Sequence, residues 1–115
     1  MKAEAIARKE LRESLWTVDF KIWSKFGTKD LFNLFDLMAV KCGILKFVQV
    51  KTNHGNVSKA KKDILQFAND NQMIDSICGY LDMEIWERTV DKDWIIYSLE
   101  YDIDSDCLKW ISNSI

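Results

Sequence analysis

Apolar residues recur every fourth position at Ala3, Ala7, Leu11 and Leu15, while Arg8, Lys9, Arg12 and Glu13 lie mainly elsewhere, so residues 3–15 read as an amphipathic helix. From residue 17 the period changes. Val18, Phe20 and Ile22 alternate with Asp19, Lys21 and Trp23, which predicts a strand of about seven residues. Residues 24–30 read as a loop bent at Gly27. An apolar run over 34–40, broken only by Asp36, and a β-rich run over 45–50 flank Cys42-Gly43, and this spacing predicts a β-hairpin. After a polar stretch, Ser58 is placed to cap a helix reaching about Asn69, with Ala60, Ile64, Leu65 and Ala68 inward. Residues 77–86 and 94–101 read as two more strands separated by the charged turn 87–93, and 105–112 as a short helix. The order α-β-β-β-α-β-β, with no repeat, no Pro and no linker, describes one α/β domain over 1–115, a mixed sheet flanked by helices.

Composition agrees with a folded chain: 48% hydrophobic and 30% charged residues, with five Trp, six Phe and three Tyr to fill a core. Cys42, Cys78 and Cys107 are odd in number and widely spaced, and there is one His, so a structural zinc site is not expected. Reduced thiols packed as small hydrophobes are expected instead, in an intracellular, cytoplasmic setting. No apolar stretch approaches the roughly 20 residues of a membrane span. The charged start of the chain lacks a signal-peptide core, so a soluble protein is expected. The net charge of −2 is unevenly spread: the first 62 residues carry 13 of the 16 Lys and Arg, and the remainder carries twelve of the 18 Asp and Glu. A cationic binding face on a weakly acidic protein is compatible with that asymmetry.

The chemistry concentrates in the hairpin. Asp36 interrupts one strand, and Gln49 and Lys51, two residues apart, point to one face of the other. A charge in an apolar strand is costly unless paired or bound to a metal. Asp36 supplies a hard anionic oxygen for Mg²⁺, and the Gln49 side-chain carbonyl and Val50 backbone carbonyl add neutral ones. Lys51 is suited to stabilise developing negative charge and to position or deprotonate an attacking water. A structural salt bridge between Asp36 and Lys51 would use the same residues without chemistry.

Phe35-Asp36, followed thirteen residues after Asp36 by Gln49-Val50-Lys51, resembles the bipartite motif of the PD-(D/E)XK nucleases, and most of all archaeal Holliday junction resolvases and related small nucleases. The likeness covers about residues 4–101 through the matching order of elements. It departs at Phe35, where the family has Pro, and at Gln49, which resembles the QxK form of some restriction-type members and is a weaker Mg²⁺ ligand than Glu. The resemblance implies a restriction-endonuclease-like fold and a Mg²⁺-dependent DNA endonuclease, with Mn²⁺ as a substitute and no small-molecule cofactor. It further implies action on branched DNA and a homodimer.

The resemblance also implies a metal-binding Glu on the first helix. Glu4, Glu10 and Glu13 are the candidates. With Ala7 at zero they fall at about 60°, −60° and −120°, so Glu4 is preferred and Glu10 comes close behind. Lys59, Lys61 and Lys62 at the start of the second helix, with Lys21, Lys25 and Lys29, are expected to form phosphate-binding rims, and His54 lies in the adjoining loop. Trp94 and Trp110 are candidates for an exposed dimer surface. The rival reading is a nuclease-fold protein that binds nucleic acid or assembles without cleaving, and a third is a nuclease subunit that relies on another chain for DNA binding.

Overall fold

The first helix, α1 (Ala3–Glu13), buries Ala7 and Leu11 completely or nearly so. It stops before Leu15 because the chain closes in a Schellman motif: Trp16 N–H donates to Leu11 O and Leu15 N–H to Arg12 O. Leu15 takes the left-handed position usually given to Gly, at φ 71°, and is 80% exposed. The expected inward stripe therefore loses its last member, and Trp16 turns onto the sheet in its place. The computed structural model describes residues 3–19, 22–24, 27–29, 32, 34–53 and 55–114, with only the backbone of 19, 22–24, 27–29 and 114.

The remaining elements are β1 (Thr17–Asp19), β2 (Ile22–Ser24), β3 (Gly27–Lys29), β4 (Leu37–Lys41), β5 (Ile44–Thr52), α2 (Val57–Asp70), α3 (Ile74–Gly79), β6 (Leu81–Arg88), β7 (Trp94–Asp102) and β8 (Cys107–Ser114). Six strands form one mixed sheet in the order β1-β4-β5-β6-β7-β8, antiparallel except for the parallel pair β5–β6. The expected hairpin is present as β4–β5. Cys42 and Gly43, at φ 51° and 81°, form its two-residue turn, the positive-φ geometry that matches strand twist. The α2–α3 segment carries the chain across to β6, as a parallel connection requires.

Alternation along the strands divides the core between the two faces. Val48, Val50, Trp86 and Trp94 pack with Ala7 and Leu11 of α1. Phe47, Met83 and Ile85 pack with Ala60, Ile64 and Ala68 of α2. The β5–β6 register is held by Lys46, whose Nζ lies 3.2 Å from Glu84 and 3.8 Å from Asp82, under the Trp16 ring at 4.4 Å. That register sets Lys46 beside Asp82 and, five residues on, Lys51 beside Glu87.

Several expectations are corrected. The single strand over 17–23 is two: β1 pairs with β4, and β2 pairs with β3 in a separate two-stranded sheet. The β1 ladder ends with Asp19 opposite Met38 because β4 itself starts at Leu37, just after a bend at Asp36. Gly27 begins β3 rather than bending a loop. Helix α2 starts at Val57, with Asn56 at its N-cap in the left-handed region and no side-chain cap, so Ser58 lies within the first turn. Residues 77–79 belong to α3, a helix too short to show a period. The terminal segment is strand β8, in which Leu108 and Trp110 turn inward while Lys109 and Ile111 face out. The element order is thus longer than α-β-β-β-α-β-β.

Trp94 is 4% exposed against the Trp86 ring, and Trp110 is half-buried, donating through Nε1 to Lys61 O, so neither is an exposed dimer surface. The three cysteines are free but exposed, not packed inside. Cys42 sits in a turn and Cys107 at a strand start, where the chain is at the surface. Among the described residues no helix is long and apolar enough to cross a membrane.

Candidate functional site

The bend at Asp36 organises the site. Phe35 and Leu37 are two residues apart and would share a face in a regular strand. Instead Phe35 packs into the α2-side core and Leu37 into the α1-side core. The break puts the Asp36 carboxylate at the end of β4, where it replaces the missing strand: Oδ2 accepts Val50 N–H at 2.7 Å and Gln49 Nε2 at 3.3 Å, while Asp36 N–H donates to Val48 O at 2.8 Å. At 4% exposure, the carboxylate is stabilised by these bonds, the buried one to the backbone being charge-assisted. Extending the β4–β5 register by one position sets Asp36 opposite Gln49, which is why residues thirteen apart in sequence meet.

Gln49 and Lys51 follow Phe47 on the α2 side of β5, both half-buried. They line a cavity of about 310 Å³ with Leu34, Asn56, Lys59 and Asp63. Lys51 also lines a second cavity of about 490 Å³, with Ala3, Glu4, Val50 and Thr52. The loop between β5 and α2 is tight: Gly55 N–H donates to Thr52 O, and a Cβ on Gly55 would stand 2.9 Å from that same oxygen. Only Gly fits there without a shift, and the turn delivers Asn56 to the wall of both cavities.

Of the three acidic candidates on α1, Glu4 is the one that lines a cavity with Lys51. Glu10 and Glu13 are exposed, and Glu13 pairs with Lys9 at 3.9 Å. Lys59 lines the smaller cavity, bound to Asp63 at 2.7 Å. Lys61 turns the other way, with its ammonium 4.1 Å from the Tyr97 ring centroid, and Lys62 is exposed. Lys25 and His54 lie outside the described residues, as do Lys21 and the side chain of Lys29.

Among the described residues no three His, Cys, Asp or Glu side chains converge on one point. The oxygens available to a divalent cation are a mixed set. Asp36 offers a carboxylate, and Val50 O projects to the same strand edge as its N–H, toward Asp36. Gln49 points its amide nitrogen at Asp36, and turning the amide over would present its oxygen instead. Glu4 lines the second cavity together with Val50 and Lys51. This donor chemistry fits a hard cation such as Mg²⁺.

Glu87 of β6 is not among the residues that the motif singles out. It is fully buried, lies beside Lys51 in the β5–β6 register, and accepts the Tyr97 hydroxyl at 2.7 Å. Three acids, Asp82, Glu84 and Glu87, interrupt the β6 run, and Glu87, expected in the charged turn 87–93, lies inside the strand because β6 continues to Arg88. Burial, together with the hydrogen bond to Glu87 and its charge, pushes the Tyr97 hydroxyl up to about 12. The raised value favours the neutral phenol in the folded state. Its contribution to stability is complete below the ordinary value of 10 and is lost as pH rises toward 12. In an alkaline titration of tyrosinate absorbance, Tyr97→Phe should remove the latest-titrating component. Glu87→Gln should move that component down without returning it to 10, because burial is the larger cause. A titration unchanged in both variants would contradict this geometry.

Compared with protein-family models and with curated proteins, the sequence finds no match.

Proposed function

We propose that the chain is a divalent-metal-dependent DNA endonuclease of the PD-(D/E)XK type, in its QxK form. The observation that carries this reading is the buried Asp36 carboxylate joined to Gln49 and Val50 at the end of β4, with Lys51 next on the same strand face. The carboxylate is engaged by Gln49 and the Val50 backbone, the two residues that precede Lys51. The run from α1 through β6 also supports the restriction-endonuclease-like fold. In it three antiparallel strands, β1, β4 and β5, lead through α2 to β6, parallel to β5, with helices on both faces.

Asp36, Gln49, the Val50 carbonyl and Glu4 would hold a Mg²⁺ or Mn²⁺ ion, which supplies a Lewis acid and a more acidic bound water. Lys51 places its ammonium where negative charge develops on the phosphoryl oxygens and helps position the attacking water. Asp36 is held in place by its backbone and side-chain bonds, and Gln49 would turn its amide over to offer an oxygen beside it. Branched DNA as substrate, and a homodimer cutting two strands, belong to the same proposal through the resemblance to junction resolvases.

The second reading, a nuclease-fold module that binds without cutting, is favoured by one feature: Gln49 brings an amide where the family has a carboxylate. The deciding experiment incubates the protein with linear, single-stranded and four-way-junction DNA in Mg²⁺, Mn²⁺ or EDTA. Cleavage in either metal and none in EDTA is expected. Cleavage that persists in EDTA sinks the mechanism, and binding without cleavage under every metal condition selects the module.

A further inference from the structure

The two cavities at Lys51 continue into a third. A depression of about 690 Å³ is lined by Ile6, Thr52, Asn53, Arg88, Val90 and Lys92, and it shares Ala3 and Thr52 with the cavity that holds Glu4 and Lys51. The three run end to end around the C-terminal ends of the parallel strands β5 and β6, the usual place for a ligand on an open α/β sheet. We propose that they form one continuous groove for an unpaired polynucleotide strand, with Arg88 and Lys92 as a phosphate-binding limb on the far side of Lys51 from Lys59. This rests on the nuclease reading for its direction but not for its binding chemistry.

Two observations carry it. The first is composition. Arg88 and Lys92 bring two cations to the third cavity and no carboxylate among the described residues lines it, while Thr52, Asn53 and Thr89 add hydrogen-bonding groups. Val90, 75% exposed, and Ile6 add apolar surface for sugar or base. The limb is built in advance. Arg88 lies 4.8 Å from the Trp94 ring, and its carbonyl accepts Asn53 N–H at 2.8 Å. The β6–β7 turn is closed by Thr89 N–H to Asp93 O and Lys92 N–H to Thr89 O, so Asp91 and Asp93 flank Lys92 without entering the cavity.

The second is the path. Arg88 and Thr52 lie on the α1 side of the sheet with Ile6, whereas Gln49 and Lys59 lie on the α2 side. A bound strand must pass from one face to the other around the sheet end. Duplex DNA, stiff over about 150 base pairs, resists so sharp a turn, while a single strand follows it freely.

The test is fluorescence anisotropy in EDTA with a fluorescein-labelled oligothymidine of about 15 nucleotides, and with the same strand annealed to oligoadenosine. The single strand should bind more tightly than the duplex. Lys92→Ala and Arg88→Gln should each weaken it roughly 3- to 10-fold at low salt and flatten the log–log salt dependence by about 0.7. Arg88→Lys, which keeps the charge, should restore the slope. Lys92 is exposed, so its variant reads the contact without a folding penalty. Unchanged affinity and slope in Lys92→Ala and Arg88→Gln, or a duplex that binds as well as the single strand, overturns the groove. If metal-dependent cleavage persists alongside that result, only the groove falls. If the slope changes as expected and no metal supports cleavage, only the enzyme reading falls.

Discussion

Replacing Lys51 with Ala is expected to slow metal-dependent DNA cleavage by roughly 100- to 10,000-fold, the range lost when a positioned proton-transfer or charge-stabilising group is removed. The side chain is half-buried between two cavities, at the strand end beyond the packed residues Phe47 to Val50. Its loss should leave the fold intact. DNA affinity in EDTA should fall little, since Lys59, Arg88 and Lys92 line the same run of cavities. Single-turnover cleavage and anisotropy measured on the same preparations separate the two effects. A Lys51→Ala protein that cleaves at the parent rate removes the residue from the mechanism. Lys51→Arg keeps the charge but changes its reach, so partial recovery would assign the role to charge rather than to proton transfer.

The largest expected effect on stability comes from Phe35→Ala. Phe35 is fully buried, with its ring centroid 5.2 Å from that of Phe47 and 6.4 Å from that of Phe67. Truncating a buried Phe costs about 3–5 kcal/mol through lost burial and the cavity left behind. Against the 5–15 kcal/mol typical of a whole domain, this is a large share. Urea unfolding should show a clear fall in midpoint, and the thermal midpoint should drop by at least about 10 °C. Because Phe35 anchors the α2 side of the bend that exposes Asp36 to Val50, cleavage should also decline below the melting range. A variant with the parent urea midpoint would mean that the bend is held from elsewhere.

Much of the architecture is legible in the order of residues. Cys42-Gly43 between two apolar runs encodes a hairpin because only a short turn with positive φ joins strands of natural twist. The four-residue spacing of Ala3, Ala7 and Leu11, and of Ala60, Ile64 and Ala68, encodes two helices that each need a surface to cover. The interruption of an apolar run by Asp36, and the shared face of Gln49 and Lys51, mark the site, since local alternation alone determines which side chains lie together.

The rest depends on contacts between segments distant in sequence. Leu15 leaves the stripe because the helix closes behind it, and β8 is a strand because β7 offers it an edge to pair with. Glu87 becomes a buried neighbour of Lys51 only through the parallel β5–β6 register, which local pattern cannot reveal. Which of the acids on α1 faces Lys51, and which lysine of α2 turns toward Tyr97 instead of the cavities, follows from how each helix is rotated on the sheet. Periodicity is a property of neighbouring residues, so the sequence by itself determined α1, α2, the hairpin and the Asp36, Gln49 and Lys51 positions. Register and helix rotation are set by packing across the whole chain, so only the tertiary structure decided what surrounds those positions and that the cavities beside them continue to Arg88 and Lys92.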